Sequence, residues 1–381
     1  LDAMVANYTV AKRRRSNDYY SPGGKPGLRP DRAVIVYCNR IREAYGDVPI
    51  IIGGLEASLR RCAHYDYWDD RVRNSILLDS QADLLIYGMG ERPVTEIAEA
   101  LSSGIEVKDI TWIRGTVYRE KNPDFEAENS WDDDLVMLPS FEEICRSKEA
   151  YAESFLIQYR NTDSVTAKRL AEYYGKNLYV VQNPPAEPLT ETELDDVYEL
   201  PYERAYHPSY VKEGGVPALR EVQFSLTSVR GCFGGCAFCT ISAHQGKFIV
   251  SRSKESILKE VKEVVQLPDF KGNLSDLGGP SANMYKMGGK DLSLCKRCKR
   301  PSCIHPKVCP NLNTDHRPLL DIYYAVDSLP EIKRSFIGSG VRYDLLLHQS
   351  KDATVNKITA EYTRELIARH VSGRLKVAPE H

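Results

Sequence analysis

The chain of 381 residues lacks several features that would assign it to a specialised class of protein. It has no run of 18 or more consecutive apolar residues, so we expect no membrane-spanning helix, and its first residues do not resemble a signal peptide. The formal net charge is only −2, with a pI of about 6.5, so no global basic field indicates a nucleic-acid partner. These absences favour a cytoplasmic globular protein of two or three domains.

The chain also lacks an initiator methionine, because it begins at Leu1 within a polar helical pattern. Its last three residues, Pro379-Glu380-His381, directly follow a predicted strand. We therefore interpret the sequence as a fragment of a longer protein.

Ten cysteines are present, and seven of them fall in two tight clusters. Clustered cysteines are typical of metal ligation in a reducing compartment rather than of an extracellular disulfide framework. The first cluster has the spacing C-x3-C-x2-C and consists of Cys232, Cys236 and Cys239. A four-iron cluster takes one ligand per iron, so three thiolates leave one iron open to a substrate or cofactor.

The second cluster has the spacing C-x2-C-x4-C-x5-C and consists of Cys295, Cys298, Cys303 and Cys309. Four thiolates satisfy either a tetrahedral zinc ion or a complete 4Fe–4S cluster, and the spacing does not distinguish the two. Neighbouring His305 is an alternative ligand. The basic residues nearby either meet an RNA phosphate backbone or offset the charge of the thiolates, and the second interpretation is simpler. They are Lys296, Arg297, Lys299 and Arg300.

Strands and helices alternate over the first hundred residues. Apolar segments at 49–52 and 83–87 each end in a glycine turn, and helical patterns cover 32–45 and 91–101. This order predicts an α/β domain with a doubly wound parallel sheet. Further along the chain, residues 164–174 are predicted to form a helix.

From residue 222 onward, four short predicted strands alternate with helical patterns, and the first of them is apolar and β-branched. The predicted strands are 222–229, 273–277, 335–337 and 375–378. The first leads into the Cys232 loop, and barrel enzymes place their chemistry at the carboxyl ends of such strands. Since a βα unit takes on the order of thirty residues, about four units fit, and the barrel is expected to be incomplete.

Several longer motifs resemble the YgiQ-type (UPF0313) radical S-adenosylmethionine (SAM) protein family. They are YSPGG at 20–24, RPDRA at 29–33, GLEASLRR at 54–61, AHYDYW at 63–68, RGCFGGC at 230–236, the second cysteine cluster and KVAPEH at 376–381. The resemblance spans nearly the whole chain. It implies a Rossmann-like, cobalamin-binding-like accessory domain at 1–200. A partial radical SAM (β/α) TIM-type barrel would follow at 201–381, with a four-cysteine insertion at 285–315.

The glycine turns at 53–54 and 88–91 resemble loops of cobalamin-binding domains that precede many radical SAM barrels. The D-x-H-x-x-G motif that ligates cobalt there is absent from this sequence. No bound cobalamin is therefore predicted.

The resemblance implies that the first cysteine cluster holds a 4Fe–4S cluster whose open iron binds SAM. An electron donor such as flavodoxin or ferredoxin would reduce it, and SAM would be cleaved to a 5′-deoxyadenosyl radical that attacks an unknown substrate. No catalytic side chain is assigned. Predicted SAM contacts are Phe238, Gly278, Gly279, Arg342 and Glu380.

Two alternatives stay open. One is a radical SAM methyl- or methylthio-transferase that acts on RNA or a metabolite. The other is a non-catalytic iron–sulfur or zinc protein with a redox or scaffold role.

Overall fold

The computed structural model describes residues 2–377, which form two compact units. The first unit comprises residues 2–21 and 25–187, and the second comprises Pro22–Gly24 and residues 188–377. The units divide at 187/188, upstream of the predicted domain boundary at 200/201. The difference arises because the helix Glu191–Tyr198 contacts the strand Val250–Ser251 of the second unit.

The first unit contains eight α-helices and eight strands among the described residues. The helices are α1 Ala3–Asn7, α2 Ala33–Tyr45, α3 Gly54–Leu59, α4 Ile76–Asp79, α5 Glu91–Ser102, α6 Phe125–Glu128, α7 Phe141–Arg146 and α8 Lys148–Arg160. The strands are β1 Ile51–Ile52, β2 His64–Asp66, β3 Arg71–Arg73, β4 Leu84–Ile86, β5 Thr116–Lys121, β6 Leu135–Met137, β7 Arg169–Tyr173 and β8 Leu178–Gln182. A short 3-10 turn covers Val107–Asp109.

Six of these strands form one sheet in the order β1-β4-β5-β8-β7-β6. Successive side chains of a strand point to opposite faces, and β4 follows this rule. Leu84 and Ile86 pack with Ile97 of α5, whereas Leu85 packs with Ala57 of α3 on the other face. Helices therefore cover both faces, and the α/β class is confirmed.

The strand directions are mixed. The pairs β1–β4 and β6–β7 are parallel, and the other three pairs are antiparallel. The parallel prediction thus holds for β1 and β4, the two strands from which it was made. It does not extend to the pairs β4–β5, β5–β8 and β7–β8, which are antiparallel.

The predicted helix at 164–174 is wrong, because residues Arg169–Tyr173 form strand β7. This strand pairs with β6 on one side and β8 on the other. Leu170 and Ala171 are both fully buried, on opposite faces of the sheet. Burial on two faces decides for a strand over the helix propensity of the segment.

The second unit continues the numbering. Its helices are α9 Glu191–Tyr198, α10 Leu219–Val222, α11 Ile241–Gln245, α12 Lys254–Val264, α13 Leu292–Cys295, α14 Arg317–Asp327, α15 Tyr343–Leu347 and α16 Ala353–Glu365, followed by the π-helical turn Leu366–His370. Its strands are β9 Ser225–Thr227, β10 Val229–Arg230, β11 Val250–Ser251, β12 Asn273–Leu274, β13 Asp276–Gly278 and β14 Arg334–Ser335. The 3-10 helices Pro22–Gly24 and Pro208–Glu213 also lie in this unit.

Parallel strands alternate with helices in this unit, as a TIM-type barrel requires. Strand β13 pairs in parallel with β9, β12 pairs in parallel with β14, and Val341 forms a parallel bridge with Val377. Helices α12, α14 and α16 lie between consecutive strands along the chain. Their buried side chains share one apolar core with Leu226, Leu274 and Leu277. The partial barrel is confirmed.

The predicted strand 222–229 is shorter than expected. Val222 ends helix α10, and the strand begins at Ser225. The segment 279–316, which contains the second cysteine cluster, lies between β13 and α14. Over residues 2–377, none of the helices combines the length and apolarity that a membrane crossing needs.

Candidate functional site

The first cysteine cluster lies on the loop between β10 and α11. The Cys239 amide donates a hydrogen bond to the Cys236 carbonyl at 3.0 Å, which folds the end of the loop into a tight turn. All three thiols, Cys232 included, are half-buried, and none of them forms a disulfide. The structure thus places the three predicted ligands on one compact loop, at the end of a barrel strand.

Gly234 lies between two of these sulfurs. Its amide donates to the Cys232 Sγ at 3.4 Å. A Cβ at this position would lie 3.3 Å from the Cys232 Sγ and 3.5 Å from the Cys236 Sγ. The absence of a side chain therefore keeps the space around both sulfurs open.

Arg342 approaches the same loop from the segment after β14. Its Nη1 donates to the Cys236 Sγ at 3.3 Å, while its Nη2 bonds the Asp344 carboxylate at 2.6 Å. Fully buried Asn283 fixes the Arg342 backbone, because its amide group accepts from the Arg342 N–H at 2.8 Å and donates to the carbonyl at 3.0 Å. A cation is thereby held beside a predicted thiolate ligand.

The electrostatics of the loop act in two directions. Burial raises the pKa of the Cys232 thiol, and the Gly234 amide works against that rise. Burial lowers the pKa of Arg342, but the bonds to Asp344 and Cys236 outweigh it and raise the net value. The guanidinium therefore stays charged and favours negative charge on the sulfurs.

These residues fit a four-iron cluster. The loop supplies three soft thiolate donors, Gly234 leaves room between the sulfurs, and Arg342 offsets negative charge. Hydrogen bonds to ligand sulfurs, as Gly234 and Arg342 make them, are one of the ways in which proteins tune iron–sulfur centres.

Two of the predicted SAM contacts, Gly278 and Gly279, lie at the end of β13. Gly278 ends β13, and its carbonyl accepts from the Ser228 amide at 2.7 Å and from the Ser228 hydroxyl at 3.0 Å. A Cβ at Gly279 would lie 2.5 Å from the Val229 Cγ1. Close packing of Gly278 against Ser339 and of Gly279 against Val229 explains both glycines locally, and their contact with SAM stays a prediction.

The two remaining predicted contacts differ in what the structure describes. Phe238, between Cys236 and Cys239, is 73% exposed, so its ring is open to a ligand. Glu380 lies outside the described residues.

The second cysteine cluster lies in the segment 279–316, between β13 and α14. The Cys309 amide donates to the Cys303 carbonyl at 2.8 Å, and the Asn311 side chain donates to the Cys295 Sγ at 3.4 Å. Burial raises the pKa of the Cys303 thiol to about 11, and the Lys247 ammonium works against that rise. All four thiols are free and half-buried.

The loops of the two cysteine clusters touch. The Cys303 amide donates to the Phe233 carbonyl at 3.0 Å, and the Ser302 hydroxyl reaches the same carbonyl at 3.3 Å. A Cβ at Gly235 would lie 2.9 Å from the Pro301 carbonyl oxygen. Buried apolar side chains around Phe233 pack against cysteines of both clusters.

Three contributors were missed from the sequence. Asn283 holds Arg342, Asp276 accepts from the amides of Gly338 and Ser339, and Lys247 lies beside the second cluster. No spacing rule marks such residues, because each acts across a long interval of sequence. Asp276 offered a faint signal as a carboxylate within an apolar strand.

One further group of possible metal ligands is formed by Asp327, Glu365 and His370, whose ligand atoms lie within 4.8 Å of one another. The fully buried His370 donates through Nδ1 to the Ser335 carbonyl at 2.7 Å. Arg369 lies within 4 Å of both carboxylates and supplies a compensating positive charge. Compensated ion pairs account for this group without a metal.

Comparison with known proteins supports the assignment of the class. A family model described as Radical SAM N-terminal matches residues 1–225. The chain therefore belongs to the radical SAM proteins that carry this N-terminal domain.

Curated relatives narrow the assignment further. UPF0313 proteins of Bacteroides thetaiotaomicron, Clostridium botulinum (strain ATCC 19397 / Type A) and Methanocella arvoryzae are 57%, 50% and 50% identical to it, each over 100% of this chain. The chain spans 62%, 57% and 60% of their respective lengths. The chain belongs to the UPF0313 family, as its motifs predicted.

Among solved structures, the radical SAM methyltransferase TsrM from Kitasatospora setae is 14% identical over 88% of this chain and 44% of its own. That structure contains a tryptophan substrate and a SAM analogue, and its TM-score is 0.38. A score at this level does not establish a common fold.

Proposed function

We propose that this chain carries the SAM-cleaving site of a radical SAM enzyme, with a 4Fe–4S cluster on Cys232, Cys236 and Cys239. The observation that carries the proposal is the geometry of the loop. Three thiols lie on one turn, Gly234 leaves space between two of the sulfurs, and Arg342 donates to one of them. Three thiolates would leave one iron for the amino and carboxylate groups of SAM.

When bound and reduced, the cluster supplies an electron that cleaves SAM to methionine and a 5′-deoxyadenosyl radical, which removes hydrogen from a substrate. The chain's own residues would bind SAM and orient it. Arg342 offsets the thiolate charge, and the exposed Phe238 offers a face and a backbone to adenine. Gly278 and Gly279 would bring backbone close to the amino group of SAM, and Glu380 would complete the contacts. The substrate class is not assigned.

The remaining parts of the proposal concern the rest of the protein. Cys295, Cys298, Cys303 and Cys309 would bind a second metal centre, and a flavodoxin or ferredoxin would supply electrons. None of the ten cysteines forms a disulfide, which suits a reducing compartment such as the cytoplasm. The accessory domain at 1–200 and the barrel core at 201–381 would act together in the longer protein.

The test is an anaerobic assay of the reconstituted chain with SAM and dithionite, in which 5′-deoxyadenosine is quantified by chromatography. The wild type is expected to form it. A Cys236→Ser variant removes one of three ligands, so its product should fall to the level of the no-protein control.

Cys145→Ser is the matched control, because Cys145 is an exposed cysteine outside both clusters. It should retain full product formation. An intact, reducible cluster that forms no 5′-deoxyadenosine would reject the enzyme and favour a redox or scaffold role.

A further inference from the structure

The second thiol set consists of Cys295, Cys298, Cys303 and Cys309. The distances between its sulfurs distinguish between the two candidate centres, a zinc ion and a four-iron cluster. Tetrahedral zinc holds its sulfurs at about 2.3 Å, which places them about 3.8 Å from one another. Among residues 2–377, Asp327, Glu365 and His370 are the only group of three or more potential ligands whose atoms all lie within 4.8 Å. No three of the sulfurs of the second set therefore lie within 4.8 Å of one another, which is a wider spacing than a zinc site needs. A four-iron cluster, whose thiolates bind different irons, requires a wider spacing than zinc does.

The surroundings of these sulfurs suit an anionic iron–sulfur centre. Asn311 donates to the Cys295 Sγ, and N–H···S bonds of this kind tune such centres. The Lys247 ammonium lies beside the set, where it donates to the carbonyls of Cys298 at 3.1 Å and Arg300 at 3.4 Å. Lys247 follows α11, which begins directly after the first cysteine loop.

The second set also has a short route to the first. The Cys303 amide bonds the Phe233 carbonyl, and Phe233 is the residue next to Cys232. Electron transfer slows steeply with distance, so two centres on loops in backbone contact exchange electrons readily.

The outer side of the second set faces solvent with a distinctive surface. Leu292 is 65% exposed and Leu294 is 50% exposed. Exposed Lys296, Arg297 and Lys299 follow them directly. Apolar side chains rimmed by cations complement an acidic protein surface. RNA is a weaker match, because residues 291–300 contain no aromatic ring on which a base could stack.

We infer that Cys295, Cys298, Cys303 and Cys309 hold a second 4Fe–4S cluster, which passes electrons from an acidic one-electron carrier protein to the first cluster. In each transfer the carrier loses one electron, the second cluster gains and then loses it, and the first cluster gains it. No bond or proton changes place. The relay rests on the proposed function, because it delivers electrons to the SAM-binding centre.

The metal content is tested with two variants of the full chain, reconstituted anaerobically with iron and sulfide in the presence of zinc. One replaces the three cysteines of the first set by serine, and the other replaces the four of the second set. The wild type should hold roughly eight irons and eight sulfides, and each variant about four of each. Zinc in place of iron in the first-set variant would overturn the inference.

The same first-set variant separates the two proposals. If the first cluster fails to cleave SAM, this variant still shows the iron and the electron paramagnetic resonance signal of the second. If the second set holds no cluster, 5′-deoxyadenosine still forms with a small chemical reductant.

A milder pair of variants covers the case in which the fourfold replacement misfolds. A Cβ at Gly289 would collide with the Cys295 Sγ, whereas a Cβ at the neighbouring Gly288 has nothing within 4 Å. Gly289→Ala should lower the iron content of the second set, and Gly288→Ala should not. Equal iron content in the two variants would contradict the assignment of Cys295 as a ligand.

The relay is tested by charge reversal at Lys296, Arg297 and Lys299, each replaced by Glu, with both clusters loaded. Reduction of the first cluster by flavodoxin hydroquinone should slow by at least about tenfold, and the wild-type rate should fall with salt. Reduction by titanium(III) citrate should be unchanged. If flavodoxin hydroquinone reduced the first cluster of this variant at the wild-type rate, the relay would be overturned. The relay would also be overturned if the variant lost only the ability to bind RNA.

Discussion

The Arg342 guanidinium lies 3.3 Å from the Cys236 sulfur and holds the Asp344 carboxylate with its other end. Reduction adds negative charge to an iron–sulfur cluster, so this cation favours the reduced state. In Arg342→Gln we expect the midpoint potential of the first cluster to fall by on the order of 60 mV, a tenfold change for one electron. Redox titration followed by electron paramagnetic resonance measures it.

Arg317→Gln is the control for this prediction, because it removes an exposed arginine of the same unit. It should leave the midpoint potential unchanged. Equal potentials in wild type and Arg342→Gln would show that the guanidinium does not act on the cluster.

Gly234→Ala tests the space between the first two ligands. The new Cβ would lie 3.3 Å from one sulfur and 3.5 Å from the other, so the loop must shift to hold iron. Overpacking costs about 1–3 kcal/mol, and we expect iron retention by the first set to weaken accordingly. Competition with an iron chelator gives the measurement. Gly340→Ala, which meets nothing within 4 Å, should retain iron as wild type does.

Asn283→Ala tests whether Arg342 must be held in place. The substitution leaves the backbone amide and carbonyl of Arg342 without their side-chain partner, which costs about 1–3 kcal/mol. Urea denaturation should show the lower stability. The cluster potential should also shift in the same direction as in Arg342→Gln. A loss of stability with an unchanged potential would assign Asn283 a purely structural role.

Glu172 in β7 gives a pH-dependent prediction for the first unit. Burial raises its pKa from 4.5 to about 7, against the opposing bonds from Tyr174 and the Ala63 amide. Between pH 4.5 and 7 the folded state keeps a proton that the unfolded state has released, so stability falls as the pH rises through this window. Across this window the free energy of unfolding should fall by about 3 kcal/mol, because the two states differ by one bound proton.

In Glu172→Gln this fall should disappear, while the side-chain oxygen can still accept from the Ala63 amide. Urea denaturation at several pH values between 4.5 and 7 measures the slope. Glu153→Gln removes an exposed carboxylate and serves as the control. A slope that persists in Glu172→Gln would assign it to another group.

The sequence predicted those parts of the molecule that depend on local spacing. Both cysteine clusters were visible because their ligands recur within a few residues. Strands β1, β4, β13 and β14 were visible because glycine directly follows each of the predicted segments 49–52, 83–87, 273–277 and 335–337. The long motifs were sufficient to predict the UPF0313 family.

Features that depend on distant contacts could not be predicted in this way. Residues 164–174 were assigned to a helix because only tertiary pairing with β6 and β8 reveals a strand there. The bond between Cys303 and Phe233 joins residues separated by helix α12 and strands β12 and β13. Asn283 acts on Arg342 across a similar interval, and no periodicity encodes such a pair.

The shared backbone hydrogen bond between the two cysteine loops bears on how the protein matures. A loop without iron adopts many conformations, and this conformational entropy is lost when a four-iron cluster binds. If both sets bind clusters as proposed, filling either set would stiffen the other loop through this bond, so the second cluster would bind to a loop that is already partly ordered. Assembly of the two inorganic centres would then be cooperative, with half-loaded molecules scarcer than random filling would give.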